Sequence, residues 1–236
     1  MDATTKVAEL PASRGAAWLA ESFRLFRGAP LVWLGLSAGW IVITFGLMLV
    51  PLIGMVASNF LQPVFFASFA IAAYKQRAGE AISINDLFTG FRHHVRALIN
   101  LGALLLLAQL AVLIVMAMLG LPTTGSTDRE FTIQEYVELL KGKEWILAVG
   151  FLLTVAIKGA LWFAPPLIAF HGMSTTQAMR WSLYAAISNI GVMMVYGVVL
   201  LGLFFVALIP WALGLLVVVP VMAISTYVGY REVFEG

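Results

Sequence analysis

The sequence predicts an all-α, polytopic membrane helix bundle, and three observations carry that prediction. Of 236 residues, 61% are hydrophobic and 11% charged, whereas a soluble domain carries about 25% charged residues. Such a chain has too few polar side chains to clothe a water-facing surface. Six apolar stretches approach the roughly 20 residues needed to cross a hydrocarbon core of about 30 Å. Lys and Arg segregate to alternate connections between these stretches, as orientation in a membrane requires. These observations exclude a soluble globule, a disordered chain and a secreted disulfide scaffold. Cysteine is absent, which removes thiolate chemistry and Cys-ligated zinc. The net charge of +2 is spread by topology and forms no nucleic-acid patch, so the phospholipid bilayer, not nucleic acid, is the expected partner.

The spans are expected at 31–50, 60–73, 97–121, 145–170, 190–209 and 211–230. The first 30 residues carry charges throughout and lack an apolar core, so the first span is expected to act as the insertion signal in place of a cleavable leader. The second span is short unless it begins near Met55, which predicts a tight hairpin through Pro51 and Gly54 with a polar step at Ser58 and Asn59. Lys6, Arg14, Arg24, Arg27, Lys75, Arg77, Arg92, Arg96, Arg180 and Arg231 flank one side. The opposite flanks hold Arg129, Lys141 and Lys143, outweighed by Asp128, Glu130, Glu135, Glu138 and Glu144. Both termini are therefore expected in the cytoplasm, in a bacterial inner membrane, with 123–144 as the sizeable loop on the far side.

Each pair of spans follows a segment that reads as a short helix. In the first, Trp18, Leu19, Ser22, Phe23, Leu25 and Phe26 share an arc opposite Glu21, Arg24 and Arg27. In the second, Ile84, Leu87, Phe88, Phe91, Val95 and Leu98 form a stripe opposite Asn85, Asp86, Thr89, Arg92, His93 and Arg96. Both suit helices lying in the headgroup plane. The third, 175–187, has no clean stripe and is expected to pack on protein. Ser83 with Asp86, and Ser174 with Gln177, have the spacing of helix-start signals, and Pro30 suits a first helical turn. Prolines keep step: Pro51, Pro122 and Pro210 end the odd spans, and Pro63, Pro165–Pro166 and Pro220 lie in or near the even ones. The chain thus reads as one membrane domain of three units, 14–77, 83–171 and 174–232, related by an axis along the membrane normal. The plain alternative is that hydrophobic sequence of low complexity resembles itself. Within the insertion, Thr132 and Glu135 form a capping-box pattern opening a helix to Leu140, with Ile133, Tyr136, Val137 and Leu140 on one face. It reads as a lid on the outer surface or as a docking site for a periplasmic partner.

No Asp or Glu lies within these spans, which argues against a proton- or cation-driven carrier. No His lies mid-span, so an intramembrane haem is not expected, and no cofactor or metal is assigned. His93 and His94 are poorly spaced for one metal. Lys158 is the exception. Trp145 and His171 each lie 13 residues away, so each interface is roughly 20 Å distant, beyond the reach of a snorkelling stem. Left in lipid, a central lysine costs at least about 2.5–3.5 kcal/mol. It needs water, an anion, a polar cluster or a partner chain, with Thr154, Gln109, Ser225 and Thr226 as candidate neighbours. The functional reading is a ligand or lipid contact, with Arg92, Arg96 and Arg180 as further basic contributors; the structural reading is a hydrogen-bonded amine or a bent fourth helix near Gly159 and Pro165–Pro166. Gly35 and Gly39, Ser68 and Ala72, and Ser225 and Gly229 have the spacing of small residues at close helix contacts, within the bundle or at an oligomer seam. Trp33, Trp40, Trp145, Trp162 and Trp211 include candidates for interfacial belts. No Walker, zincin or nucleophile-elbow motif is present.

Several segments in order carry a family resemblance: Trp18-x4-Phe23-x-Leu-Phe26-Arg27 with Pro30, Asp86-Leu-Phe88-x-Gly-Phe91, Trp162-Phe-Ala-Pro165-x-Leu167 with His171-Gly172, and Tyr230-Arg-Glu-Val-Phe234. Together they resemble an uncharacterised family of small six-span inner-membrane proteins of proteobacteria. The hairpin units are more distantly similar to the membrane domain fused to some glycerophosphodiester phosphodiesterases, whose catalytic domain this chain lacks. The resemblance implies an inner-membrane location and no catalytic residues; Glu232 stands where many members carry Asp. The expected function is a non-enzymatic accessory or organising subunit of a larger membrane assembly or homo-oligomer. The alternative is a lipid- or anion-binding or transport protein using Lys158. A lipid-headgroup enzyme is the third reading, which needs a polar cleft of His and acids.

Overall fold

The architecture is that of a computed structural model describing residues 6–121, 132, 135, 138, 140–209, 211 and 213–236. Among the described residues every regular element is helical. In chain order they are α1 (Arg14–Gly28), α2 (Pro30–Met48), α3 (Ile53–Arg77), a 3-10 helix (Ile84–Arg92), α4 (Val95–Met118), α5 (Glu144–Trp162), α6 (Ala164–His171), α7 (Thr175–Ser188), α8 (Ile190–Leu208) and α9 (Leu215–Phe234). Six helices are long and apolar enough to cross a membrane, α5 and α6 counting as one, Glu144–His171.

The second span is longer than its apolar run. Ser58 and Asn59 lie inside α3, and the turn is confined to Leu49–Leu52, where Leu52 takes a left-handed φ of 61°. Asn59 tolerates the helix by donating its amide to the Met55 carbonyl at 2.9 Å. At the other end α9 continues past Tyr230 to Phe234, so Arg231 and Glu232 belong to the helix. Pro30 starts α2 as expected. Pro122, Pro210 and most of the insertion, with Ile133, Tyr136 and Val137, lie outside the described residues. The capping box there is visible: Thr132 N–H donates to Glu135 Oε2 at 2.8 Å, and Glu135 N–H to Thr132 Oγ1 at 3.3 Å.

The fourth span breaks at Phe163 because Pro165 and Pro166 supply no N–H to the preceding turn. Ser182 of α7 repairs the gap. Its hydroxyl accepts from Phe163 N–H at 2.9 Å and donates to the Gly159 carbonyl at 2.7 Å, the two groups an unbroken helix would have joined.

Burial divides the spans into two layers. In α9, 61% of the most apolar window is buried and in α3 44%, against 17% for α2 and α8. α3, α9 and α6 touch one another and form the inner layer, with Val64, Phe69, Leu167, Ile168, Ile224 and Tyr227 in one core. The outer helices keep apolar side chains such as Val42, Phe45, Leu113 and Val198 exposed, as a lipid solvent requires.

The short helices pack in a cyclic order. α1 rests mainly on α8 and α9, the 3-10 helix on α3 and α2, and α7 on α5 and α6. The 3-10 helix therefore covers the pair of spans preceding it, α7 the broken fourth span, and α1 the last pair. Glycine makes the first two contacts close: a Cβ at Gly15 would collide with Val192 and Tyr196 backbone, and one at Gly90 with the Val64 carbonyl. Gly90 N–H donates to Ser68 Oγ at 2.8 Å. The apolar face of α1 is thus turned onto protein, burying Trp18, Leu19 and Phe26 and leaving Phe23 half exposed.

The second stripe needs correction. It is no single α-helix through Leu98: the 3-10 helix stops at Arg92, His94 turns left-handed (φ 49°), and Leu98 belongs to α4. Asp86, placed on the polar side by a 100° period, is buried, while Ile84 and Phe88 are exposed. Three residues per turn bring Asp86 and Leu87 inward. Ser83 and Asp86 do form a capping box. Ser174, by contrast, makes no side-chain cap for α7; the neighbouring Thr175 hydroxyl instead donates to the Ala97 carbonyl at 2.9 Å.

Candidate functional site

The segment from Lys6 to α1, the end of α9 and all three short helices lie at one charged end. Glu232 accepts Trp18 Nε1–H at 2.6 Å and pairs with Arg14, and that hydrogen bond holds the Arg14 guanidinium more firmly protonated than usual. Glu21 of α1 pairs with Arg77 of α3 and with Arg231 of α9, the latter at 3.2 Å. Asp86 receives Lys75 Nζ at 2.7 Å and Ser83 N–H at 2.7 Å. Burial resists its ionisation, yet these donors outweigh it and hold its carboxyl below the ordinary value. Tyr230 Oη lies 2.7 Å from His171 Nε2 and donates to Glu235 Oε1 at 3.1 Å. These groups are spent on one another, and no group of three His, Asp or Glu among the described residues is placed to hold a metal.

Away from that end, a cavity of about 290 Å³ lies between α3, α4, α5, α6 and α9. Pro63, Phe66, Leu101, Leu105, Leu161, Pro165 and Met222 make its apolar walls; Lys158, Gln62, Thr226 and Trp162 add polar groups. Lys158 is exposed on α5 and makes no hydrogen bond or ion pair among the described residues. The indole N–H of Trp162 is buried without an acceptor among them, so this ring is a wall of the cavity, not a member of an interfacial belt. Of the neighbours proposed for Lys158, Thr226 shares the cavity. Thr154 is turned to its own helix, donating to Gly150 O at 2.8 Å, and Ser225 is engaged with Tyr196 Oη at 2.7 Å.

Arg92, Arg96 and Arg180 do not join Lys158. None lines the cavity. Arg92 and Arg96 are exposed near the junction of the 3-10 helix and α4, and Arg180 lines a separate groove on α7 with Lys6. The small residues serve different contacts. Gly35 and Gly39 make room for the side chains of Ile84 and Leu87, not for another span. Ser68 receives Gly90, Ala72 is buried, and Gly229 is covered by Trp18 and Phe163. Sequence reasoning missed Gln62, an amide within an apolar span beside Pro63. Its signal was the residue type itself, since an uncompensated amide is costly in hydrocarbon.

A protein of Burkholderia thailandensis named as a "probable inner membrane protein" is 28% identical to the chain over 231 residues, covering 93% of this chain and 82% of the relative. No family model and no solved structure matches.

Proposed function

We propose that this multi-pass protein resides in the inner membrane and binds, without catalysis, the acidic group of an anionic amphiphile at mid-bilayer. The observation that carries this reading is the unpaired Lys158 beside an apolar cavity. Gln62 adds an amide donor, and the oxygens of a carboxylate or phosphate are acceptors. The cavity is near the small end of small-molecule sites, which suits an acidic group with the first part of its chain. The described residues around the cavity include no carboxylate, so the counter-charge is assigned to the ligand. The relative's name supports the location, and the excess of Lys and Arg on the terminal end supports a cytoplasmic placement of both termini. An accessory or organising role has no specific contact in its favour, because the exposed apolar faces are those that lipid demands.

The test is native mass spectrometry of the full-length protein with oleate and, as neutral control, oleyl alcohol. The protein should retain oleate in preference to the alcohol. Lys158→Met should weaken oleate binding about tenfold or more, since hydrogen bonds to charged groups are worth about 1.5–3 kcal/mol. Equal retention of both probes, or undiminished oleate binding by the variant, would overturn the reading.

A further inference from the structure

At the charged end, a groove of about 850 Å³ runs between α7 and the segment that precedes α1. Lys6 and Arg180 supply its cations, and Trp181, Tyr184, Leu183 and Ile187 its apolar and aromatic surface. From this groove we infer a binding site for the headgroup of an anionic phospholipid, distinct from the mid-bilayer cavity and independent of its occupant.

Lys6 is held beside α7 by fixed backbone. Ala8 N–H donates to the Val233 carbonyl at 2.8 Å, Leu10 N–H to Asn189 Oδ1 at 2.9 Å, and Asn189 Nδ2 to the Ala8 carbonyl at 3.0 Å. Asn189 is buried just past the end of α7, so one side chain sets the segment's distance from the helix that carries Arg180. Glu9 of the same segment is the carboxylate nearest in sequence, but it does not line the groove, and neither Lys6 nor Arg180 has an ion-pair partner among the described residues. Two uncompensated cations call for an anion.

The rest of the groove identifies the anion as a lipid. Trp181 and Tyr184 stand edge to face, with ring centroids 6.1 Å apart. Such amphipathic rings concentrate at headgroup depth. Below them Ile187 is exposed, and the apolar surface continues through exposed Ile190 and Met194 of α8. A phosphate between Lys6 and Arg180 thereby places its acyl chains along a surface already facing hydrocarbon. A soluble anion would have no use for that continuation.

Native mass spectrometry of the full-length protein, titrated with phosphatidylglycerol and with phosphatidylcholine, tests the site. The protein should retain phosphatidylglycerol preferentially. Lys6→Gln and Arg180→Gln should each lower that preference about fivefold, as expected for one basic residue near an anionic surface. In the Lys158→Met background, which removes the cation of the mid-bilayer cavity, the double variant should bind the two lipids alike, while Arg180→Lys should keep the preference for phosphatidylglycerol. Equal retention by the wild type, or an undiminished preference in the double variant, would overturn the site. Displacement of phosphatidylglycerol by millimolar inorganic phosphate would overturn its assignment to a lipid.

Discussion

The charged end and the mid-bilayer cavity treat ionisable groups in opposite ways. At the charged end Glu232, Glu21 and Asp86 each gather two donors. At the cavity Lys158 faces no carboxylate among the described residues. A charge that locks a fold is surrounded by its complements, whereas one kept for something else is left without them. The contrast separates the clamps, which tie elements together, from Lys158, which is tied to no described partner.

The largest effect should come from breaking the clamp at its most buried member. Trp18 is fully buried, meets Phe163 edge to face at 6.2 Å and donates to Glu232. Trp18→Ala should cost about 3–5 kcal/mol, read as lost unfolding free energy in detergent micelles. Next comes the broken fourth span: Ser182→Ala strands Phe163 N–H and the Gly159 carbonyl together and should cost about 2 kcal/mol, with Ser182→Thr as a polar control.

A smaller effect is expected at Asp86. Asp86→Asn should cost about 1 kcal/mol at neutral pH, the pair with Lys75 being partly exposed. The sign follows from the depressed carboxyl: its stabilisation is present above the ordinary value of 3.8 and is lost as pH falls through the lower folded value. Wild type and variant should therefore converge in acid, in a denaturation series from neutral pH to below 3.8. Smallest of all should be Lys158→Met, with a Tm no lower than the wild type, because no described contact is lost. A marked drop would erase the contrast and make Lys158 a structural tie.

The spans were legible in the sequence because the solvent dictates them: long apolar runs have no other use, and Pro30 and Pro165–Pro166 mark a start and a break by backbone chemistry alone. The short helices were legible as segments but not in their placement. Periodicity at 100° per residue located Trp18 and Leu19 correctly, yet it had no means of showing that their shelter is α8 and α9 rather than the headgroup plane. It failed at Asp86, where a close approach at Gly90 and a tighter helix changed the phase. For the site, Lys158 stood out as a misplaced charge. Of its companions, Trp162 stands one turn away in the same span but was read as a belt candidate, and Gln62 comes from a distant span that only folding brings near. Arg180 was grouped with Lys158, whereas folding puts it on a groove with Lys6.

The docking of α1 on the last two spans sets an order of events during biosynthesis. Gly15 leaves the ribosome long before its contact Tyr196 is made, and at about 5–20 residues per second the interval is on the order of ten seconds. Throughout that time the face bearing Trp18 has no permanent home. A nascent chain truncated before α9 can never supply one, so incomplete products should carry a bare, sticky leading helix by which quality-control proteases can tell them from finished molecules.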